Sequence, residues 1–179
     1  MRTCKGVAME DILHIPKGSL LYRGQILAAE VSESLRKPSV TPCADILHIN
    51  YYVHGPKEPV REIIMKWLKK EARHILYERT AYFASLKGLK YGRIAIKDQS
   101  SRWGSCSSLS NINYNWRIIM APDTVLDYLV IHELTHLIHM NHSADFWHEV
   151  ESMDPCYIQH RQWLRDKGKL LFQLFPKAR

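Results

Sequence analysis

The stretch VIHELTHLIHMNHSADFW, Val130 to Trp147, gathers four of the chain's ten histidines into eleven residues. His132 and His136 enclose Glu133 in an H-E-x-x-H arrangement. Chance would produce that motif only about 0.03 times in a chain of this composition, and about 0.002 times with His142 required as well. The residues before it, APDTVLDYL, supply Pro122 for a first helical turn. Val125, Leu126, Leu129, Val130, Leu134, Leu137 and Ile138 then recur as a wide apolar face. The histidines therefore begin on a largely buried helix and run off its end.

Helical geometry gives the spacing its meaning. His132 and His136 stand at i and i+4, so both imidazoles emerge from one face about 5–6 Å apart at Cβ and can converge on one ion. Glu133 is rotated by about 100° from His132, which brings its carboxylate toward a metal-bound water without making it a ligand. A base beside an activated water is a hydrolytic arrangement, and zinc suits neutral imidazoles with one position left open. Two histidines compete for the third ligand position. In a straight helix His139 lies about 10.5 Å along the axis from His132, so three donors would be strung nearly in a line, which tetrahedral zinc does not accept. A residue beyond the helix end converges better. Asn141 tolerates the left-handed conformation that ends helices, and Ser143 can cap a following helix with Asp145 in its first turn. His142 is thus favoured over His139, with Glu149 and Glu151 as further candidates.

The composition is that of a globular chain: 179 residues, 46% hydrophobic and 24% charged, long enough for one well-buried core. No apolar run reaches the roughly 18 residues of a membrane span, and MRTCKGVAMEDILHI lacks the apolar centre of a signal peptide, so a cytoplasmic protein is expected. Cys4, Cys43, Cys106 and Cys156 form no C-x-x-C pair and read as reduced, mostly buried thiols. The net charge of +7 is concentrated after Arg161, while residues 57–79 mix seven bases with four glutamates, a pattern that reads mainly as solvated surface.

Residues 18–33 and 44–53 carry the short apolar and β-branched runs of strands, separated by RKPSVTP as a loop. After Pro59, apolar residues from Val60 to Leu76 follow the helical period, predicting a long amphipathic helix that ends near Gly88. YGRIAIKD, Tyr91 to Asp98, predicts a strand. NINYNWRIIM alternates Ile112, Tyr114, Trp116 and Ile118 against Asn113, Asn115 and Arg117, which predicts a half-buried strand just before the histidine helix.

Four separated motifs, SRWGSCSS, NINYNWRIIMAP, LDYLVIHELTHLIHMNHSADFW and YIQHRQWLRD, occur in order over about residues 57–170. Together they resemble the YgjP-like family of zinc metallopeptidases, related to the WLM and SprT groups and to zincins. The resemblance implies an α+β fold: a zincin-like core over residues 56–179, with a mixed β-sheet packed on the long amphipathic helix and the H-E-x-x-H helix. It makes residues 1–55 an N-terminal β region of the same unit. It also implies one zinc ion on His132, His136 and His142, with Glu133 catalytic and a peptide or protein as substrate.

Flanking residues have two readings each. Arg102 either binds a substrate carboxylate or phosphate or ties its loop to the sheet, and Trp103 reads as packing. Gly104 reads as a tight-turn residue, and Cys106 as a buried thiol. Asn113 and Asn115 either line a strand edge that pairs an extended substrate or face solvent. Tyr157, His160 and Arg161 either stabilise a developing oxyanion or serve packing and surface. The leading function is zinc-dependent peptide hydrolysis. The alternative is metal-dependent hydrolysis of a nucleoside triphosphate phosphoanhydride, with Arg102 and the basic C-terminal residues on the phosphates. A nucleic-acid-binding module with a structural zinc is weakest, because a closed zinc site would not need Glu133.

Overall fold

Chain stiffness and apolar spacing set the first helix. In the computed structural model, which describes residues 17–52 and 59–176, the periodic run forms α1, Val60–Lys87. Pro59 caps its start and Gly88, at φ 64°, ends it in the left-handed conformation that a glycine adopts without strain. Ile63, Leu68, Ala72, Leu76 and Phe83 lie on its buried face. Each such side chain contributes roughly 1.5–3 kcal/mol when fully removed from water.

Two mixed sheets pack with the helices, so the chain is α+β. The first contains β1 (Ser19–Tyr22), β2 (Gln25–Ser34), β3 (Ser39–Cys43) and β4 (Ile46–Tyr52) in the order β1-β2-β4-β3. β2 and β4 run parallel, and the outer pairs are antiparallel. The N-terminal β region thus holds four strands among the described residues. RKPSVTP is only partly a loop, because Ser39–Cys43 forms an edge strand on which Pro42 loses no needed ladder bond. The β1–β2 hairpin turns through Arg23 and Gly24, both at positive φ, and their N–H groups donate to the carbonyls of Ile119 and Met120. A Cβ on Gly24 would stand 2.9 Å from Pro122 Cα, and Arg23 pairs with Asp123 at 2.6 Å. The hairpin tip therefore clamps the start of the histidine helix.

The second sheet is β5 (Ile94–Lys97), β6 (Gly104–Cys106) and β7 (Ile112–Asn115), ordered β5-β7-β6, with β5 parallel and β6 antiparallel to β7. The strand predicted over NINYNWRIIM stops at Asn115. Asn115 Oδ1 accepts the Arg117 N–H, and Trp116–Met120 close into a fully buried 3-10 helix. Arg117, expected on a polar face, is buried. It donates to Asp98, to the Phe175 carbonyl and to Asn115 Oδ1, so its charge is compensated.

α2 (Asp123–Thr135) runs through the middle of the core, with Val125, Leu126, Tyr128, Leu129, Val130, Ile131 and Leu134 all buried. α3 (Ala144–Met153) and α4 (Tyr157–Leu174) follow, and α4 closes over the second sheet through Trp103 against Gly168 and Phe172. Among the described residues no helix is long and apolar enough to cross a membrane. Cys43 and Cys106 are free thiols, Cys43 exposed rather than buried. Cys156 is disulfide-bonded, contrary to the expectation of reduced cysteines, so cysteine usage gives no support to a reducing compartment.

Asp98 joins α1 to the core, accepting from Lys69 at 2.9 Å and from Arg117 at 2.7 Å. Burial pushes its pKa upward, but these two cations outweigh it and hold the carboxyl at about 2, below its ordinary 3.8. Its contribution to stability is therefore complete above about pH 4 and lost as pH falls toward 2. Asp98→Asn is expected to melt below the parent at pH 7, and the gap should close on acidification through this window. Thermal melts at several pH values check this, and a constant gap would contradict it.

Candidate metal centre

α2 ends at Thr135, about a turn earlier than the sequence suggests, and His136 is its C-cap. The chain then continues in turns, with Ile138 and His139 donating to the Thr135 carbonyl. Asn141 is not among the residues at positive φ, so the exit is made by these turns and not by a left-handed asparagine. Ser143 caps α3 as expected, accepting from the Phe146 N–H, with Asp145 in the first turn. The short connection swings His142 back over the end of α2.

One potential ligand atom from each of His132, His136 and His142 lies within 4.8 Å of the others. His132 Nε2 and His142 Nε2 are 3.2 Å apart. Two imidazole nitrogens on one tetrahedral zinc, each about 2.0–2.1 Å from it, would be separated by about 3.3–3.4 Å, so the donor set fits such an ion. His136 Nδ1 lies 3.1 Å from the carbonyl oxygen of His139, which orients that ring and leaves Nε2 for a ligand role. His139 thus enters through its backbone. Phe146, fully buried, forms the floor, with its ring 4.7–5.0 Å from all three imidazoles. Trp147 stacks on His142 at 5.5 Å and 22°.

Burial favours the uncharged form of the His132 and His136 imidazoles. His132 is pushed down to about 3 by desolvation, then by neighbouring His136, His142 and Arg161. Desolvation also lowers His136, against the bond to the His139 carbonyl. Neutral rings are the form that ligates a cation.

Glu133 is buried, 4% exposed, and its Oε2 has no hydrogen-bond partner among the described residues. Desolvation raises its pKa from 4.5 to about 8. Its carboxylate fits against Gly104 at the start of β6, where a Cβ would fall 2.3 Å from Glu133 Oε1. Gly104, read from sequence as a turn residue, is instead the space that admits the carboxylate.

The flanking candidates divide. β7 is the central strand, hydrogen-bonded on both sides, so Asn113 and Asn115 are on no free edge. Asn113 donates to Ser105 Oγ at 3.1 Å, and buried Asn115 donates to the carbonyls of Gln99 and Arg102. Arg102 is exposed. Tyr157 stacks on Trp147 at 5.5 Å, and the Arg161 guanidinium sits 4.4 Å from that ring's centre, so both border the centre through Trp147. His160 instead pairs with Asp154 at 2.7 Å. Sequence reasoning missed Phe146, whose signal was an apolar residue three positions after the Ser143 cap, where a first-turn side chain folds back on the preceding segment.

This arrangement is one that could hold a metal ion. The chain belongs to the YgjP-like family: the YgjP-like metallopeptidase domain matches residues 10–167. Membership implies a metal ion, for which the three histidines are the donors at hand. Among solved structures the chain is similar to the crystal structure of the metallopeptidase zymogen of Pyrococcus abyssi abylysin. That similarity has 22% identity and a TM-score of 0.47, over 53% of this chain and 94% of that one. No curated protein matches in sequence.

His142→Ala is expected to lose most bound metal after dialysis and His139→Ala to keep it, since residue 139 acts through its carbonyl; metal content decides. Gly104→Ala should retain metal and fold while displacing the carboxylate. A misplacement of about 1 Å costs on the order of 10²-fold in turnover. Unchanged turnover would mean that Gly104 does not position Glu133.

Proposed function

We propose that this chain is a zinc-dependent metallopeptidase in which His132, His136 and His142 hold the ion and Glu133 is the general base. One observation carries the reading: three convergent imidazoles beside a buried carboxylate whose Oε2 has no hydrogen-bond partner among the described residues. When bound, the ion supplies Lewis acidity for the scissile carbonyl. Glu133 takes a proton from the attacking water and returns it to the departing amine. A carboxylate whose proton affinity burial has moved to near neutrality is suited to both transfers.

β6 supports the way a substrate would lie. Among the described residues it pairs with β7 on one side only, and it carries Gly104 against Glu133. An extended peptide adding to the outer edge of β6 would pass the carboxylate, which moves the substrate contact expected at Asn113 and Asn115 onto the neighbouring strand. Arg161 and Tyr157, bordering the centre through Trp147, are the proposed contacts on the opposite side, and Arg102 the one at the entry to β6. The site is assigned to residues 56–179, and within the N-terminal β region of residues 1–55 the described β1–β2 hairpin braces the start of α2.

Glu133→Gln keeps the size of the side chain and removes its basicity. The variant should retain zinc and lose about 10²–10⁴ in peptide turnover. Metal content and a screen against peptides and nucleoside triphosphates, with Glu133→Gln as blank, test the proposal. Triphosphate turnover without peptide cleavage would replace it with the phosphoanhydride reading, and full activity in Glu133→Gln would remove the general-base role.

A further inference from the structure

Exposed positive charge is found on α1 as well as in the C-terminal segment, where Arg161 and Lys169 are also exposed. In the C-terminal segment Lys167 is buried and Arg165 pairs with Asp166 at 3.4 Å. On α1, by contrast, Lys66, Lys69, Lys70 and Arg73 recur at i, i+3, i+4 and i+7, which sets them on one face. Two recesses flank Lys70. One, of about 280 Å³, is bounded by Lys69, Lys70, Arg73, Lys97 of β5 and Asp98 over Trp116. The other, of about 470 Å³, is bounded by Lys66, Lys70, Lys37 from the β2–β3 connection and half-buried Trp67.

The acid in this region is already engaged, since Asp98 binds Lys69 and Arg117 with its two oxygens. Lys37, Lys70, Arg73 and Lys97 are exposed and form no ion pair among the described residues. Like charges held a helical turn apart repel. A polyanion relieves that repulsion and releases its own counterions as it binds. The recesses admit a thin, flexible strand, whereas a rigid duplex would meet only the tips of the lysines, and Trp67 offers a partly open aromatic surface to a base. We infer that the α1 face formed by Lys70, Arg73 and Lys97 binds the phosphate backbone of a single-stranded nucleic acid. The contacts are to phosphate and independent of sequence. This surface is separate from the metal centre and does not depend on the peptidase reading.

The test is fluorescence anisotropy of a labelled thymidine oligonucleotide of about 20 residues, titrated with the full chain across a salt series. The parent should bind at low salt. Combined Lys70→Gln, Arg73→Gln and Lys97→Gln should weaken binding at least about tenfold and flatten the log–log salt slope by roughly 2, about 0.7 for each phosphate contact. Lys169→Gln on α4 should change neither. If the triple variant does not fold, the three single variants serve, each expected to lose about 0.7 in slope. Absent or salt-independent binding, equal loss in Lys169→Gln, an unaffected triple variant, tighter binding of a duplex of the same length, or stronger competition by polyglutamate than by unlabelled strand would each overturn the inference.

Discussion

A helix that is apolar on nearly every side has to be enclosed, and enclosing α2 organises the rest of this molecule. α1, α3, α4, the 3-10 helix and β6 all pack against it. The β1–β2 hairpin pins its first turn through Arg23 and Gly24. Its last turn approaches solvent, and that turn carries His132 and His136. The position of the candidate metal centre is thus a consequence of core packing: the histidines stand where a helix buried along most of its length reaches the surface. Rigidity there follows as well, because moving either imidazole means moving a helix fixed by buried leucines and isoleucines.

The same enclosure creates an electrostatic imbalance at Glu133. A carboxylate removed from water without hydrogen-bond partners is strongly disfavoured as an anion, and its pKa rises accordingly. Two other charged groups drawn away from water are compensated. Arg117 is met by Asp98, by the Phe175 carbonyl and by Asn115, and Asp127 by Arg79 in two bonds. The contrast marks Glu133 as a group whose partner is not part of the fold. A bound cation and a substrate would supply what the chain withholds.

Much of this was legible in the sequence, for identifiable reasons. α1 could be read because an apolar period of 3.6 between Pro59 and Gly88 has one structural solution. The convergence of His132 with His136 followed from i, i+4 geometry, and that of His142 from the need for a donor off the helical line. NINYNWRIIM was misread because alternation continues through Trp116 and Ile118, while the local bond from Asn115 Oδ1 to the Arg117 N–H turns the chain into a 3-10 helix. β3 was missed because proline usually argues against a strand and only an edge position makes it harmless. The relation between Gly104 and Glu133 joins residues 29 positions apart and leaves no periodic trace; a missing side chain announces a turn as readily as a neighbour's space.

The bond from His136 to the His139 carbonyl separates two kinds of information in one short segment. Positions 132, 136 and 142 contribute the three imidazoles that converge, whereas position 139 contributes an oxygen that every amino acid possesses. Four closely spaced histidines therefore spell out a pattern denser than the one that converges. What the segment must preserve is length: with one residue fewer between 136 and 142, the carbonyl and the returning imidazole could not both arrive where they do. In this centre spacing is the constrained quantity at residue 139, and chemical identity is free there.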